Sequence, residues 1–295
     1  MPLTVDEVLE TYWEDIAPLR NPVMLVALRG LFDIGGVATS ALDWMLKERD
    51  AIVVADIDPD PFFDFTQERP EAFIDEDGDR AIRWPENEFM IVRYPEGARD
   101  MIVLNGIEPH VSWNVFTQSV VEVCRGLNCN LVVSLGAAAE QVPHTRVPLV
   151  VGSTTNPDLA ARLGLTPPRY QGPTGVAGVL LDSLDRANIP NISLRVGVPH
   201  YLMHAQHPKS AASLLQHLQH VLGIPTDHQN LADEISRWQE LHDAAVEGDP
   251  QAANYVHMLE RRHDMTIEQN MASGEDLAAE LEEFLRGQSP DDDAE

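Results

Sequence analysis

The chain has 295 residues, and 44% of them are hydrophobic, which is enough to bury a large core in one domain or two. It carries 48 Asp and Glu residues against 20 Lys and Arg residues, a formal net charge of −28 at pH 7. Because phosphate groups repel such a chain, its charge excludes nucleic acid and anionic membrane as binding partners.

The N-terminal sequence and the cysteines indicate a cytoplasmic protein. The first residues contain no basic segment followed by an apolar one, so we expect no signal peptide. No apolar run approaches the roughly 20 residues that a membrane-spanning helix needs. The two cysteines, Cys124 and Cys129, are too few for a zinc site, and we expect reduced thiols, at least one of them in the core.

Helical patterns and short apolar runs alternate from the start of the chain. Residues 5–17 have apolar side chains at helical spacing after Thr4, a suitable N-cap, and predict a helix. The runs 23–28 and 51–55 predict strands that are buried on both faces, as in a sheet covered by helices. Between these two runs, residues 37–49 predict a helix.

A β-hairpin is predicted next, as an insertion over about residues 71–85. Two strand-like runs, 72–74 and 81–84, flank the dipeptide Asp77-Gly78, which is typical of a hairpin turn. A hairpin that projects from an α/β core often contacts another subunit, and we state that contact as a hypothesis.

The alternation continues to residue 225. Further strands are predicted over 89–93, 101–104, 131–135, 147–151 and 192–196. Further helices are predicted over 111–127, 175–187 and 208–222. Strands that alternate with helices predict crossover connections and a largely parallel sheet.

The alternation of predicted strands and helices ends at residue 225, and no further strand is predicted beyond it. Three amphipathic helices are expected, over 231–246, 250–263 and 275–286. We therefore predict an α/β core domain over 1–225, an acidic helical extension over 226–287, and a disordered tail over 288–295.

Several short motifs follow one another in an order that resembles a known family. They are Gly30 with Gly35-Gly36, Asp58-Pro59, Phe62-Phe63-Asp64-Phe65, Arg69-Pro70, Leu104-Asn105-Gly106-Ile107-Glu108-Pro109, Tyr170-Gln171-Gly172-Pro173-Thr174-Gly175 and Val198-Pro199-His200-Tyr201. Over roughly residues 20–224 the chain resembles the proteasome-assembly-chaperone family in its bacterial, actinobacterial-type branch. The helical extension resembles that of the same branch.

The resemblance implies a fold and a tendency to self-associate. The implied fold is α/β, a three-layer αβα core with a mostly parallel sheet, similar to nucleoside phosphorylases and related hydrolases, with the hairpin insertion and the C-terminal helices added. The implied assembly is a homotrimer. The resemblance implies no catalytic mechanism. Eukaryotic members dock on the proteasome through a C-terminal hydrophobic–Tyr–any-residue tail, whereas this sequence ends Asp293-Ala294-Glu295, so we expect that docking route to be absent.

Polar and glycine-rich loops follow the predicted strands, where ligands bind in parallel α/β sheets. The candidate ligand-binding residues in these loops are Gly30, Asp33, Gly35, Gly106, Glu108, His110, Gly172, Gly175, His200 and Tyr201. Glu108 and His110 pair a carboxylate with an imidazole, which suits acid–base chemistry or, equally, a polar loop that bonds to itself. The segment 172–175 would open a helix whose N–H groups face an anion. For Gly30 and Gly35, tight turns are favoured over ligand binding.

No metal or cofactor is predicted. His200, His204 and His207 are closely spaced, but no H-E-x-x-H pattern accompanies them. The aspartates between 56 and 64 lack the glycine and glutamate of a calcium loop. Ser134 lacks the first glycine of a hydrolase nucleophile elbow.

Two hypotheses remain for the function. The first, favoured narrowly, is a homo-oligomeric assembly or scaffold protein that binds another protein and performs no catalysis. The alternative is a small-molecule-binding protein or enzyme with a deep polar pocket lined by Asp33, Glu108 and His200, over which the C-terminal helices act as a lid.

Overall fold

The chain folds around an eight-stranded mixed sheet with helices on both faces. The structure is a computed structural model that describes residues 2–47, 49–95 and 97–287, the last part (269–287) by its backbone only. The predicted disordered tail, 288–295, lies outside the described residues. Every described helix is too short or too polar to cross a membrane.

The elements alternate along the chain as the sequence predicted. The strands are β1 (Leu9–Thr11), β2 (Val23–Arg29), β3 (Ala51–Ile57), β4 (Glu71–Ile74), β5 (Arg80–Arg83), β6 (Glu88–Val92), β7 (Met101–Ile107), β8 (Leu131–Glu140), β9 (Val150–Ser153) and β10 (Asn191–Pro199). The α-helices are α1 (Val37–Leu46), α2 (Trp113–Gly126), α3 (Pro157–Leu163), α4 (Val176–Arg186), α5 (Pro208–Leu222), α6 (Ala232–Glu247) and α7 (Pro250–Gly287).

The centre of the sheet is parallel and its edges are antiparallel. The strand order is β1-β3-β6-β7-β2-β8-β10-β9. Strands β7, β2, β8 and β10 run parallel to one another, whereas β1, β3 and β6 on one side and β9 on the other pair antiparallel. The predicted α/β class is confirmed, and the carboxyl ends of the four central strands meet at one edge.

Each face of the sheet has its own core, because successive side chains of a strand point to opposite faces. Val23, Leu25 and Ala27 of β2 are buried on the face against which α1 packs, in a core that also contains side chains of α5. Met24 and Val26 are buried on the other face, where α2 and α4 pack against each other. The uninterrupted apolar run of β2 is therefore explained by a three-layer αβα arrangement.

The predicted helix over residues 5–17 is wrong. The capping box forms, since the Thr4 N–H donates to Glu7 Oε2 at 2.9 Å, but only one 3-10 turn follows before β1 begins. The Tyr12 N–H donates to the carbonyl of Val54 at 2.7 Å, and its hydroxyl donates to Asp56 Oδ2 at 2.6 Å. Pairing with β3 thus overrides the helical pattern, as tertiary contacts often do.

The prediction that the second strand is buried on both faces is also wrong. Strand β3 lies next to the edge strand β1, and Ile52 is half exposed. The apolar run of β3 consists largely of β-branched residues, and the sequence does not show which of these side chains face solvent.

Three central strands extend farther than predicted. Strand β7 continues to Ile107, β8 to Glu140 and β10 to Pro199, because the parallel register holds each strand to its neighbour over this length. Gly106 therefore lies within a strand and not in a loop. The short helix α3 was not predicted.

The C-terminal extension contains one long helix where two were predicted. Helix α7 runs from Pro250 to Gly287 without a break, and the sequence inside it has no proline, the strongest helix breaker. Leu231, Val256 and Leu259 of the extension are buried. We keep the boundary at residue 225 as a proposal.

Candidate functional site

Glu108 joins two loops at the carboxyl edge of the sheet. Its Oε2 accepts a hydrogen bond from the Leu31 N–H at 2.7 Å, and its Oε1 accepts one from the Val176 N–H at 3.4 Å. A Cβ atom on Gly30 would collide with this carboxylate, and one on Gly175 would lie 2.9 Å from the Phe32 ring. The structure thus brings together three predicted site residues, Gly30, Glu108 and Gly175, as a clasp between chain segments.

The predicted anion site at the start of α4 is occupied by the protein itself. Gly175 is the N-cap of α4, and the first N–H of the helix, from Val176, points at the Glu108 carboxylate. Gly172, with a φ of +153°, packs under Tyr170, whose hydroxyl donates to the carbonyl of Pro173 at 2.9 Å. This arrangement favours a role for Gly172 and Gly175 in shaping the loop before α4.

Asp33 binds the N-terminus of α1. Its Oδ1 accepts from the Ala38 N–H at 2.6 Å and its Oδ2 accepts from the Thr39 hydroxyl at 2.5 Å. Burial raises the pKa of Asp33, although these hydrogen bonds oppose the shift. Gly35 has a φ of +67°, and a Cβ atom there would lie 2.8 Å from the Ala205 carbonyl oxygen. A turn and a close approach both require this glycine.

Glu108 and His110 do not form a pair. The Nδ1 of His110 accepts a hydrogen bond from the Asp64 N–H at 2.9 Å, and its ring packs edge-on against Phe63. Glu108 binds the loop after β2 instead. Each side chain bonds to a nearby loop of the same chain. This arrangement agrees with the second interpretation made from the sequence, a polar loop that bonds to itself.

Gly106 is required by a neighbouring side chain. The Asn87 side-chain amide binds both backbone groups of Ile107 at the end of β7, accepting from its N–H at 2.8 Å and donating to its carbonyl at 3.2 Å. A Cβ atom on Gly106 would collide with Asn87.

His200 and Tyr201 lie under the C-terminal helices. His200 Nδ1 lies 3.1 Å from the carbonyl oxygen of Glu140, so it carries the proton, and Nε2 accepts from the Tyr255 hydroxyl at 3.1 Å. The Tyr201 hydroxyl lies 2.7 Å from His144 Nδ1. Burial raises the pKa of Tyr201 to about 12.

A buried histidine that the sequence did not single out completes this network. His144 Nε2 lies 3.0 Å from Asp243 Oδ1 on α6, so Nε2 donates and Nδ1 accepts from Tyr201. Burial lowers the pKa of His144, and Asp243 only partly opposes the shift. Because His144 and Asp243 are 99 residues apart, no local pattern could have paired them.

The three residues of the predicted pocket, Asp33, Glu108 and His200, do not together line any of the five main cavities in the described part of the chain. Each of the three side chains is hydrogen-bonded to a different part of the chain, as described above. A different cavity, of about 390 Å³, lies at the carboxyl ends of β2 and β7, between α1 and the hairpin. Of the ten predicted site residues, only Gly106 lines it.

This cavity has a mixed charge. Arg29, Arg69 and Arg83 line it, and Arg29 forms an ion pair with Glu68 at 2.6 Å. On the opposite wall Asn105 Nδ2 donates to Asp43 Oδ1 at 2.7 Å, and burial raises the pKa of Asp43. No described residue from 226 onward lines the cavity, so the C-terminal helices do not cover it. Among the residues with described side chains, no cluster of metal ligands is found.

The hairpin is an exposed apolar feature near this edge. We call residues 71–84 the hairpin arm; β4 and β5 form a separate two-stranded sheet, and none of the arm's residues is buried. Ala72 pairs with Ile82, so these side chains and Ile74 lie on one face. All three are exposed, Ile74 by 66%.

Comparison with known proteins gives consistent matches. The PAC2 family pattern matches residues 27–246. A PAC2 family protein from Streptomyces avermitilis is 34% identical, with a TM-score of 0.75, over 80% of this chain and 99% of that one. A proteasome-assembly chaperone homologue from Mycobacterium tuberculosis is 30% identical, with a TM-score of 0.72, over 79% of this chain and 99% of that one.

The helical extension is also part of a longer match. A protein of unknown function from Corynebacterium glutamicum, 22% identical, has a TM-score of 0.79 over 90% of this chain and 99% of that one, a likeness of fold alone. No curated protein matches the chain.

Proposed function

The chain belongs to the PAC2 family, and we propose that it is a self-associating assembly protein that binds protein chains and performs no catalysis. The family resemblance inferred from the motifs is confirmed. The likeness to nucleoside phosphorylases, the homotrimer and the cytoplasmic location stay predictions. The observation that carries the proposal is the hairpin arm, whose apolar side chains Ala72, Ile74 and Ile82 are exposed.

The hairpin arm has the properties of a contact surface. An isolated two-stranded hairpin is marginally stable in water, and it gains stability when its apolar face packs against another surface. Ile74 and Ile82 offer that face, and exposed apolar patches of this kind mark interaction sites. A partner that covers the arm would stabilise both the arm and the complex.

The predicted ligand residues support the same proposal. Asp33 and Glu108 use their carboxylates to hold the starts of two helices, and His200 holds the C-terminal helices through Tyr255. Each of these three side chains thus has a hydrogen-bond partner within the chain that holds a helix in place. One relative is described as a proteasome-assembly chaperone homologue, and from that likeness we extend only the class of partner, another protein chain.

The test is native mass spectrometry of the full chain, purified gently, with and without Ile74→Arg. We expect a homo-oligomer or a fixed-ratio complex with a second protein, and we expect Ile74→Arg to dissociate it because a charge would enter an apolar contact. The matched control is Leu241→Arg on α6, where the leucine is 69% exposed. A chain that stays monomeric and partnerless at every concentration contradicts the proposal.

A second candidate function is favoured by the cavity at the ends of β2 and β7. Its volume of about 390 Å³ is in the range of small-molecule sites. Arg69 and Arg83 suit an acidic ligand. The same mass spectra test this candidate. A reproducible small extra mass that is absent from Arg69→Ala would support it. Spectra that show no extra mass on the natural chain, under conditions that preserve bound ligands, would contradict it.

A further inference from the structure

A second uncovered apolar surface lies at the far edge of the sheet. Val147, Leu149 and Val151, at alternate positions leading into and along β9, are all exposed, Val147 by 65%. Val151 pairs with Arg195 of β10, so the two side chains share one face of the sheet. The exposed side chains therefore form a stripe along the edge strand.

The adjoining strands give this stripe a shallow floor. Arg195 also pairs with Gly136 of β8, and Gly197 pairs with Ala138. None of Gly136, Ala138 and Gly197 carries a side chain larger than a methyl group. The ion pair between Arg195 and Glu140, at 3.2 Å, lies next to these residues, and Glu140 is the last residue of β8. We call Ala138, Val147, Leu149, Val151 and Arg195 together the β9 face.

The segment that leads into and out of β9 is poor in acidic residues, although Glu140 and Asp185 flank the strand. From 141 to 181 Asp158 is the single acid, whereas the whole chain has 48 Asp and Glu in 295 residues. The same stretch contains Arg162 and Arg169, both exposed, and the segment between them is joined to β9 by a bridge between Ser153 and Thr166. An acidic segment of another copy of the chain would meet these two arginines here.

The hairpin arm complements the β9 face in both apolarity and charge. Its stem offers Ile74 and Ile82, and its tip carries four acids, Asp75, Glu76, Asp77 and Asp79. An acidic tip is repelled by most of this molecule's surface but is attracted by the exposed arginines beside β9.

We propose that the hairpin arm of one copy packs against the β9 face of the next copy, with the acidic tip towards Arg162 and Arg169. The proposal rests on the proposed self-association. The arm is inserted between β3 and β6 in one half of the sheet, and β9 is the edge strand of the other half. A contact between two different surfaces is head-to-tail, and it closes into a ring, such as a trimer, when its rotation permits.

Cysteine cross-linking of the full chain tests the contact. The natural Cys124 is buried, so in a Cys129→Ser background we compare Ile74→Cys, Leu149→Cys and the double variant, treated with a short bis-maleimide. We expect the double variant to form a ladder of covalent multimers joined 74 to 149 in peptide mass spectra. Each single variant stays at background, because a head-to-tail contact never brings two identical positions together. Leu241→Cys is the control for random collision.

Each other outcome overturns the head-to-tail contact. Cross-links joining 74 to 74 or 149 to 149 show an isologous contact, and no cross-link in an oligomeric double variant shows that other surfaces meet. In both cases the proposed self-association stands. A natural chain that is monomeric in native mass spectra overturns both proposals. As a second measurement, Leu149→Arg is expected to raise the dissociation constant of the oligomer about 30-fold or more.

Discussion

Removing the His144 imidazole is expected to loosen the C-terminal helices from the core. The side chain is buried and connects Tyr201 at the end of β10 to Asp243 on α6. In His144→Ala both partners lose a hydrogen bond, and the space beside the Trp238 ring is left unfilled. The loss of two hydrogen bonds and of buried ring contacts lowers the free energy of unfolding by about 2–4 kcal/mol.

The same variant carries a pH signature. Burial lowers the pKa of His144 in the folded chain, so the unfolded chain binds a proton more readily than the folded one. The stabilisation from neutral His144 is therefore fully present above the unfolded pKa of about 6.5 and is lost as the pH falls through the lowered folded pKa. The difference between the natural chain and His144→Ala is expected to narrow as the pH falls from about 8 to about 5.

Urea unfolding at several pH values, followed by tryptophan fluorescence, measures both effects. His220→Ala is the matched control, because His220 is exposed on α5 and its loss should change the free energy by no more than about 0.5 kcal/mol. Limited proteolysis reports whether cleavage begins beyond residue 225 in His144→Ala. A variant within about 0.5 kcal/mol of the natural chain at every pH would refute the reasoning.

Three further predictions concern the carboxyl edge and the core. Glu108→Ala leaves two backbone N–H groups without their acceptor and should lower the free energy of unfolding by about 2–3 kcal/mol, measured by calorimetry as a lower melting temperature. Glu108→Gln keeps an acceptor oxygen and should restore part of this free energy. Gly35→Ala should cost more than Gly78→Ala in urea unfolding, since both have positive φ but only Gly35 has atoms within 4 Å of a new Cβ. Burial alone would raise the pKa of Asp100, but hydrogen bonds from Arg20 outweigh this effect and the pKa is lowered. The stabilisation by ionised Asp100 is therefore present above about pH 4 and is lost as the pH falls through the lowered pKa. In Asp100→Asn the free energy of unfolding should depend less on pH in this acid range.

Local sequence patterns predicted the elements whose signals are local. The hairpin turn at Asp77-Gly78 and the helix Pro208–Leu222 have their determinants within a few residues, and both are present in the structure. The edge strand Leu9–Thr11 has a helical pattern, and only its partner strand, more than forty residues away, decides its conformation. Strand lengths depend in the same way on the register of neighbouring strands.

The sequence predicted which of the candidate residues lie close together at the carboxyl edge of the sheet, but it did not predict their hydrogen-bond partners. The rule that loops gather at the carboxyl edge did bring Gly30, Glu108 and Gly175 together. It gave no means of knowing that Glu108 would turn towards the Leu31 N–H and not towards His110. Side-chain direction depends on packing across the fold, which a single sequence does not display.

The carboxyl edge explains why surfaces are favoured over pockets as the functional parts of this molecule. In α/β sheets of this kind an anionic ligand binds where helix N-termini point at that edge. Here Asp33 accepts hydrogen bonds from the first turn of α1, and Glu108 accepts from the first N–H of α4. Two helix N-termini at this edge are thus neutralised by the chain's own carboxylates, so a bound anion would have to displace them. The contact that we propose between the hairpin arm and the β9 face needs no such displacement, because the apolar side chains of both are already exposed.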